Sequence, residues 1–164
     1  MNTNLLNGME PILEKQFLKN DPCRKKAYIC SPLSGRTNEE VLANMHNARF
    51  YMLYVHERMN MPARAPHAYL PMLLCDHIPA ERSLALDFGL RLLAESDILL
   101  VCGKRVSRGM VGEIRHAAKL QMEIRTFDEE VFLQVKKIVT SAGGDKSLVT
   151  IDRTHPELGM PEKM

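Results

Sequence analysis

One loop of this chain carries glycines, a serine and a basic residue shortly before a carboxylate. Gly103 and Gly109 bracket Ser107 and Arg108, and Glu113 follows in the next helical pattern. Glycine and serine at a strand-to-helix turn predict an anion cradle, because the first amides of a helix point outward without a partner. A carboxylate in the first turn of that helix is kept ionised by the helix dipole and could attack the anomeric carbon of a sugar. Acidic residues are also common there for the dipole reason alone, so a structural role stays open.

An earlier loop repeats these residue types. Ser31, Ser34, Gly35 and Arg36 follow a short β-prone run, and their hydroxyls, amide and guanidinium could receive a phosphate or a ribose. His67 could face the same cleft. The structural alternatives are a capped loop with a surface arginine and a histidine that closes a strand.

Composition excludes several classes of protein. The 22 Lys and Arg against 20 Asp and Glu leave a net charge of +2, which gives no support to a protein that coats DNA. Aromatic residues make up 5% and Trp is absent, so a base-stacking surface for single-stranded nucleic acid is not expected. A hydrophobic share of 45% predicts an ordinary globular core for 164 residues. We therefore expect a small-molecule partner and no nucleic acid polymer.

Cysteine, histidine and hydropathy patterns bear on metals, membranes and location. The four cysteines form no C-x-x-C and the six histidines no H-E-x-x-H, so we expect no metal and no cofactor. No apolar run approaches the roughly 20 residues of a membrane-spanning helix, and the start lacks the pattern of a signal peptide. These observations predict no membrane partner and a cytoplasmic protein with reduced thiols.

Strand and helix patterns alternate along the chain. Short apolar or alternating runs predict five strands at residues 26–30, 63–65, 98–102, 122–127 and 147–151. Periodic apolar positions predict four helices at residues 41–59, 80–95, 110–120 and 128–140. Asn38 can cap the first helix. The second helix is apolar nearly all round, which predicts that it is well buried.

The alternation of strands and helices predicts an α/β fold with a doubly wound, flavodoxin- or Rossmann-like, mostly parallel sheet in a single domain. We place this domain at residues 26–140, between an N-terminal extension at residues 1–25 and a C-terminal tail at residues 141–164. Ligands of such folds lie outside the carboxyl ends of the strands. That rule selects the loops at residues 31–37, 66–71 and 103–109.

Three motifs resemble a known superfamily. The patterns Y-I-C-S-P-L-x-G from Tyr28, A-P-H ending at His67 and S-x-G-M-x-x-E-I from Ser107 are similar to the nucleoside 2-deoxyribosyltransferase superfamily, in particular to a poorly characterised branch. The similarity spans roughly residues 26–127. The resemblance implies a flavodoxin-like fold and cleavage of an N-glycosidic bond by a glutamate nucleophile, which matches Glu113.

The resemblance also implies roles for other residues. Tyr28 matches an aromatic residue that places the glutamate, and Asp87 matches, by spacing, an aspartate that handles the departing base. Ser107 stands where relatives that act on 5′-monophosphates carry a serine. Phosphate-binding relatives have an arginine at the position of Ser34, so here Arg36 would have to replace it.

The resulting hypothesis is cleavage or transfer at the N-glycosidic bond of a nucleoside or nucleoside 5′-monophosphate through a glycosyl-enzyme intermediate. Resolution of that intermediate by water or by a second base decides between hydrolase and transferase. The alternative is a nucleotide-binding module that senses or sequesters its ligand without catalysis. The resemblance also implies a homodimer or a higher homo-oligomer. Asp97, at the opposite end of the predicted sheet, is interpreted as structural.

Overall fold

The computed structural model describes residues 24–161, which form one sheet with helices on both sides. The strands are β1 (Ala27–Cys30), β2 (Ala63–Arg64), β3 (Ile98–Val101), β4 (Glu123–Thr126) and β5 (Val149–Ile151). The helices are α1 (Asn38–Arg58), α2 (Leu70–Leu73), α3 (Pro79–Ala94), α4 (Arg108–Lys119) and α5 (Glu129–Ser141). Three 3-10 turns lie at Pro66–Ala68, Lys146–Leu148 and Pro156–Gly159.

The five strands are all parallel and lie in the order β2-β1-β3-β4-β5. This is the flavodoxin-like order, so the predicted doubly wound Rossmann-like fold is confirmed. Every residue of β1 and β3 is buried, because helices cover both faces of the sheet. The direction of strand addition reverses between these two strands. In sheets of this kind the ligand crevice lies at that point.

The sheet separates two apolar clusters. Tyr28 and Cys30 of β1 point to the side that holds α4 and α5, whereas Ala27 and Ile29 point to the side of α1. The alternation follows from the two-residue period of a strand. Tyr28 therefore lies beneath the helix that carries Glu113.

Helix α1 begins at Asn38, the residue that was expected to cap it. Thr37, and not Asn38, is the N-cap: its backbone is extended, and its side chain accepts a hydrogen bond from the Glu40 amide at 3.1 Å. Asn38 is instead the first helical residue. The prediction that Asn38 caps the helix is therefore wrong by one residue, because the neighbouring Thr37 side chain is also a good cap.

The prediction that the helix at residues 80–95 is well buried is wrong for α3. Leu93 is its only buried residue, whereas Leu84 is 58% exposed and Leu86 60% exposed. Phe88 and Leu90 are exposed as well. The apolar residues recur every two positions, and positions two apart lie on opposite sides of a helix. One face of α3 packs on the domain, and apolar side chains remain on both flanks.

The domain does not end at residue 140, where the sequence-based boundary was placed. Strand β5 pairs with β4, and Leu158 lies fully buried in the apolar cluster on the α1 side. The Leu158 carbonyl accepts a hydrogen bond from the Gly103 amide at 2.8 Å. Residues 141–161 are thus part of the fold. Most of the predicted N-terminal extension, residues 1–23, lies outside the described residues.

Between residues 24 and 161, no helix has the length and apolar character needed to cross a membrane.

Candidate functional site

The carboxyl ends of three neighbouring strands carry the candidate residues. Ser31 directly follows β1, His67 lies in the turn after β2, and Glu113 lies on α4, which follows β3. Because the strands are parallel and adjacent, these loops meet at one edge of the sheet. The edge selected from the sequence is therefore the one at which the structure brings these three residues together.

Glu113 lies in the second turn of α4, not in the first. Ser107 is the N-cap with an extended backbone, and α4 has no acidic residue in its first turn. The helix dipole acts mainly within the first turn, so it cannot be what keeps Glu113 ionised. The side chain is 12% exposed, and burial raises the pKa of its carboxyl above the ordinary value. The expectation of a dipole-stabilised carboxylate is therefore wrong.

Two side chains oppose this effect of burial on Glu113. His67 Nε2 lies 3.7 Å from Glu113 Oε1, and both this imidazole and a hydrogen bond from the Tyr28 hydroxyl act to lower the pKa of the carboxyl. Burial, together with the nearby carboxylate, raises the pKa of the Tyr28 phenol, so the phenol stays protonated and donates. Tyr28 and Glu113 thus interact, and the placing role of Tyr28 stays what the resemblance implies.

The orientation of His67 is set by the backbone of the first loop. His67 Nδ1 lies 3.1 Å from the Ser31 carbonyl oxygen. A carbonyl only accepts, so Nδ1 carries the proton and Nε2 faces the Glu113 carboxyl. His67 therefore lies between the Ser31 carbonyl and the Glu113 carboxyl.

Two buried polar atoms at this edge have no protein partner within residues 24–161. They are Ser31 Oγ and Glu113 Oε2. Buried polar atoms almost always have hydrogen-bond partners, and an orphaned one needs a specific explanation. A ligand that carries hydroxyl groups would satisfy both atoms, since a hydroxyl donates to a carboxylate and can also pair with a serine.

The first loop forms a basic cavity that is separate from the Glu113 carboxyl. Ser34, Gly35 and Arg36 line an open cavity of about 410 Å³ together with Arg105 and Glu40. Glu40 Oε2 accepts from the Arg36 amide at 2.5 Å. A Cβ on Gly35 would lie 2.6 Å from Glu40 Cβ, so this close approach requires glycine. The cavity offers two guanidinium groups against one carboxylate.

The third loop contributes to this cavity through Arg105, one of the basic residues that the sequence predicts to add positive charge to this loop. Arg105 lines the cavity, whereas Ser107, Arg108 and Gly109 do not. Arg108 and Gly109 are exposed at the start of α4, and the Ser107 amide contacts Met110 Sδ at 3.2 Å. The basic run in the loop was the available signal. Which of these basic residues lines the cavity depends on the path of the backbone, and the sequence pattern does not give that path.

The structure does not bring Asp87 to Glu113. Asp87 is 68% exposed on α3 and pairs with Arg91 at 3.7 Å. Its match rested on spacing, and spacing does not say which face of a helix a residue occupies. Asp97, in contrast, accepts a hydrogen bond from the Lys26 amide at 2.8 Å at the amino end of the sheet. That contact agrees with its structural interpretation.

Two further points concern metals and thiols. Within the described part of the chain, no three His, Cys, Asp or Glu side chains are grouped as metal ligands. Cys30 and Cys102 are buried free thiols, and burial raises the pKa of each above its ordinary value. These thiols therefore stay protonated and are poor nucleophiles.

Comparison with known proteins identifies a family. Searches of curated proteins and of solved structures find no match to this chain. A family model described as a domain of unknown function, DUF7768, matches residues 25–127. The match includes Tyr28, Ser31, His67 and Glu113, and it ends before α5 and β5. The chain therefore belongs to the DUF7768 family of domains of unknown function.

Proposed function

We propose that this protein cleaves or transfers at the N-glycosidic bond of a nucleoside or nucleoside 5′-monophosphate, with Glu113 as the nucleophile. The observation that carries the proposal is the pair of orphaned atoms, Glu113 Oε2 and Ser31 Oγ, at the carboxyl edge of the sheet. The fold and the motif resemblance support the same ligand class. The crevice position at the β1/β3 reversal supports it as well.

The proposed reaction uses the free oxygen of Glu113. As the C1′–N bond breaks, positive charge builds on the sugar, and the carboxylate stabilises this charge and forms an ester bond to C1′. The electron pair of the broken bond leaves with the base. Water then hydrolyses the ester in a hydrolase, or a second base displaces Glu113 in a transferase. The Tyr28 hydroxyl keeps the carboxyl oriented while the bonds at C1′ change.

The departing base needs a proton, and we assign its delivery to His67 instead of Asp87. His67 Nε2 lies 3.7 Å from Glu113 Oε1 and so faces the carboxyl that would attack, whereas Asp87 is 68% exposed to solvent. A His67→Gln variant should release natural bases slowly. It should lose little rate on a substrate whose leaving group departs readily as an anion, because such a group needs no general acid. Equal losses on both substrates would assign His67 a positioning role only.

The 5′-phosphate is assigned to the cavity at the first loop. Arg36 and Arg105 supply positive charge, and the loop supplies hydroxyls and amides. Arg36 thereby takes the place of the arginine that phosphate-binding relatives carry where Ser34 stands. An Arg105→Ala variant should raise KM for the 5′-monophosphate and leave KM for the free nucleoside unchanged.

The experiment is a direct assay for released base. Purified protein is incubated with nucleosides and with 5′-monophosphates, in ribose and deoxyribose forms, and free base is separated by chromatography. Glu113→Gln should abolish release while ligand binding persists, and Glu39→Gln, an exposed carboxylate at the start of α1, should leave release unchanged. Release by Glu113→Gln at the wild-type rate would rule out the nucleophile role.

A nucleotide-binding module without catalysis is the second candidate. The raised pKa of the Glu113 carboxyl favours it, because a protonated carboxyl is a poor nucleophile but a good hydrogen-bond donor to a ligand. The exposed position of Asp87 also leaves the site without the expected second carboxylate. Tight binding of a nucleotide with no base released over a long incubation would select this candidate.

The remaining expectations belong to this proposal. We propose a cytoplasmic protein, in line with its buried free thiols Cys30 and Cys102. Its partner is a small nucleoside or nucleotide, with no nucleic acid polymer, no membrane, no metal and no cofactor. A homodimer or a higher homo-oligomer is also part of the proposal.

A further inference from the structure

A second cavity adjoins the basic cavity at the first loop, which we call the first-loop cavity. The second has a volume of about 120 Å³ and lies between α1 and the loop after β3. Lys104 lines it, and we call it the Lys104 cavity. Arg105 lines both cavities, so they meet at this residue. The proposed function gives the Lys104 cavity no role.

Two basic side chains are the ionic groups of the Lys104 cavity. The Tyr51 hydroxyl donates to the Met160 carbonyl at 2.8 Å, and the Asn44 side-chain amide donates to two carbonyls of the first loop at 2.9 and 3.3 Å. These wall donors are therefore occupied within the chain. Lys104 and Arg105 are exposed, and neither side chain pairs with another residue between 24 and 161. A ligand that enters this cavity meets positive charge, which selects an anion.

The two cavities differ in their acidic residues. Glu40 lies opposite Arg36 and Arg105 in the first-loop cavity, whereas no carboxylate of the described chain lines the Lys104 cavity. A second negative group next to a phosphate in the first-loop cavity would be repelled by Glu40 and attracted by Lys104. A cavity of about 10–15 Å³ holds one water molecule, so the Lys104 cavity has room for a phosphate group.

We infer that the ligand of this protein carries two linked phosphates and is a nucleoside 5′-diphosphate. The phosphate next to the sugar lies in the first-loop cavity, the terminal phosphate lies in the Lys104 cavity, and Arg105 contacts both. The phosphates of a diphosphate share one oxygen, so they need two adjoining positions of this kind. A guanidinium offers five N–H donors in one plane and can therefore bridge them. The nucleoside part rests on the proposed function, whereas the two phosphate positions rest on the cavities alone.

The first experiment tests the two phosphate positions without any turnover. Binding of inorganic phosphate and of inorganic pyrophosphate to the full chain is measured by calorimetry, at constant ionic strength and without divalent metal ions. Wild type should bind pyrophosphate about tenfold or more tighter than phosphate, which corresponds to one additional charge-assisted contact. Lys104→Ala should remove most of this preference. Its affinity for phosphate should change less than about threefold, because the first-loop cavity remains.

Lys119→Ala is the matched control for the loss of one positive charge. Lys119 is exposed at the last residue of α4 and lines neither cavity, so this variant should keep the wild-type preference for pyrophosphate. Lys104→Arg keeps the charge and should keep the preference as well, and circular dichroism establishes that each variant is folded. Equal affinities of wild type for the two anions, an unchanged preference in Lys104→Ala, or an equal loss in Lys119→Ala would overturn the inference.

The second experiment tests the nucleoside part on Glu113→Gln, which should bind without turnover. Calorimetry compares the four common ribonucleosides as 5′-monophosphates and as 5′-diphosphates. At least one diphosphate should bind about tenfold or more tighter than its monophosphate, and also tighter than pyrophosphate. If none does, the inference is wrong even where base release establishes the proposed function. If the diphosphate binds as expected but wild type releases no base, the proposed function fails and the diphosphate site remains.

Discussion

Replacing Glu113 by Gln should stabilise the folded protein at neutral pH while it removes the proposed nucleophile. The side chain is 12% exposed, and its Oε2 has no partner within residues 24–161. A buried polar atom without a hydrogen bond costs about 1–3 kcal/mol, and more when it is charged. Gln keeps an oxygen for the Tyr28 hydroxyl and puts an amide nitrogen in place of Oε2, so one unpartnered atom remains, but the buried charge is gone. We therefore expect the free energy of unfolding to rise by on the order of 1 kcal/mol at pH 7, the excess cost of a charged over a neutral unpartnered atom.

The pH dependence of this gain has a definite sign. Burial raises the folded-state pKa of Glu113 above the unfolded-state value of about 4.5. Below that pH the carboxyl is protonated in both the folded and the unfolded state, so its ionisation does not change the free energy of unfolding. As the pH rises above it, the folded state holds a proton that the unfolded state has lost, so wild type becomes progressively less stable relative to the variant. The advantage of Glu113→Gln should therefore vanish on acidification to about pH 4.

Urea unfolding of both proteins between pH 4 and pH 8 measures this difference. Each 1 kcal/mol corresponds to about 2–4 °C in Tm for a chain of this size, so thermal melts give a second check. Glu39→Gln removes an exposed carboxylate and should not stabilise the protein at any pH. If Glu113→Gln is less stable than wild type at pH 7, or if the difference is independent of pH, the carboxyl is not destabilised by burial and the reasoning fails.

Three further substitutions probe the surroundings of the site. Tyr28→Phe removes the phenol that stabilises the ionised Glu113 carboxyl, so the acid limb of the pH–rate profile should move to higher pH; an unmoved limb would show that the phenol does not act on this group. Gly112→Ala should stabilise the protein in thermal melts by roughly 1 kcal/mol through helix propensity, because no atom lies within 4 Å of the added methyl group. Gly89→Ala should stabilise it less, because its methyl group would lie 3.3 Å from the Tyr28 hydroxyl. Equal gains in the two variants would contradict this close contact. Leu158→Ala empties a fully buried position and should cost about 2–5 kcal/mol in urea unfolding, whereas a loss below about 1 kcal/mol would place this residue outside the core.

The strands and their direction could be predicted from the sequence because two-sided burial leaves a simple pattern. The apolar run from Ile98 to Val101 marks a strand covered on both faces, and β3 covers that run. Alternation with helices then implies parallel pairing, because each connecting helix returns the chain to the end of the sheet from which the previous strand started. The carboxyl edge with Ser31, His67 and Glu113 follows from the topology.

What the sequence could not supply is the environment of single side chains. The pKa of Glu113 depends on which turn of α4 it occupies and on how completely it is enclosed. Both follow from where Ser107 caps the helix and not from motif spacing. The exposure of α3 is a similar case, because hydropathy does not say whether an apolar residue faces its own chain or another surface. The exposure of Asp87 depends on which face of α3 packs against the domain, and only the packed structure shows that face.

The hydrogen bond between Gly103 and Leu158 has a practical consequence for anyone who trims this protein. It ties the loop that carries Arg105 to the last described turn, so substitutions near Leu158 can shift Arg105 and the cavity that it lines. A fragment cut to residues 25–127 would lose this tie together with α5 and β5. Its β4 would then become an open edge that is prone to aggregation. The folding unit is thus longer than the stretch that defines the family.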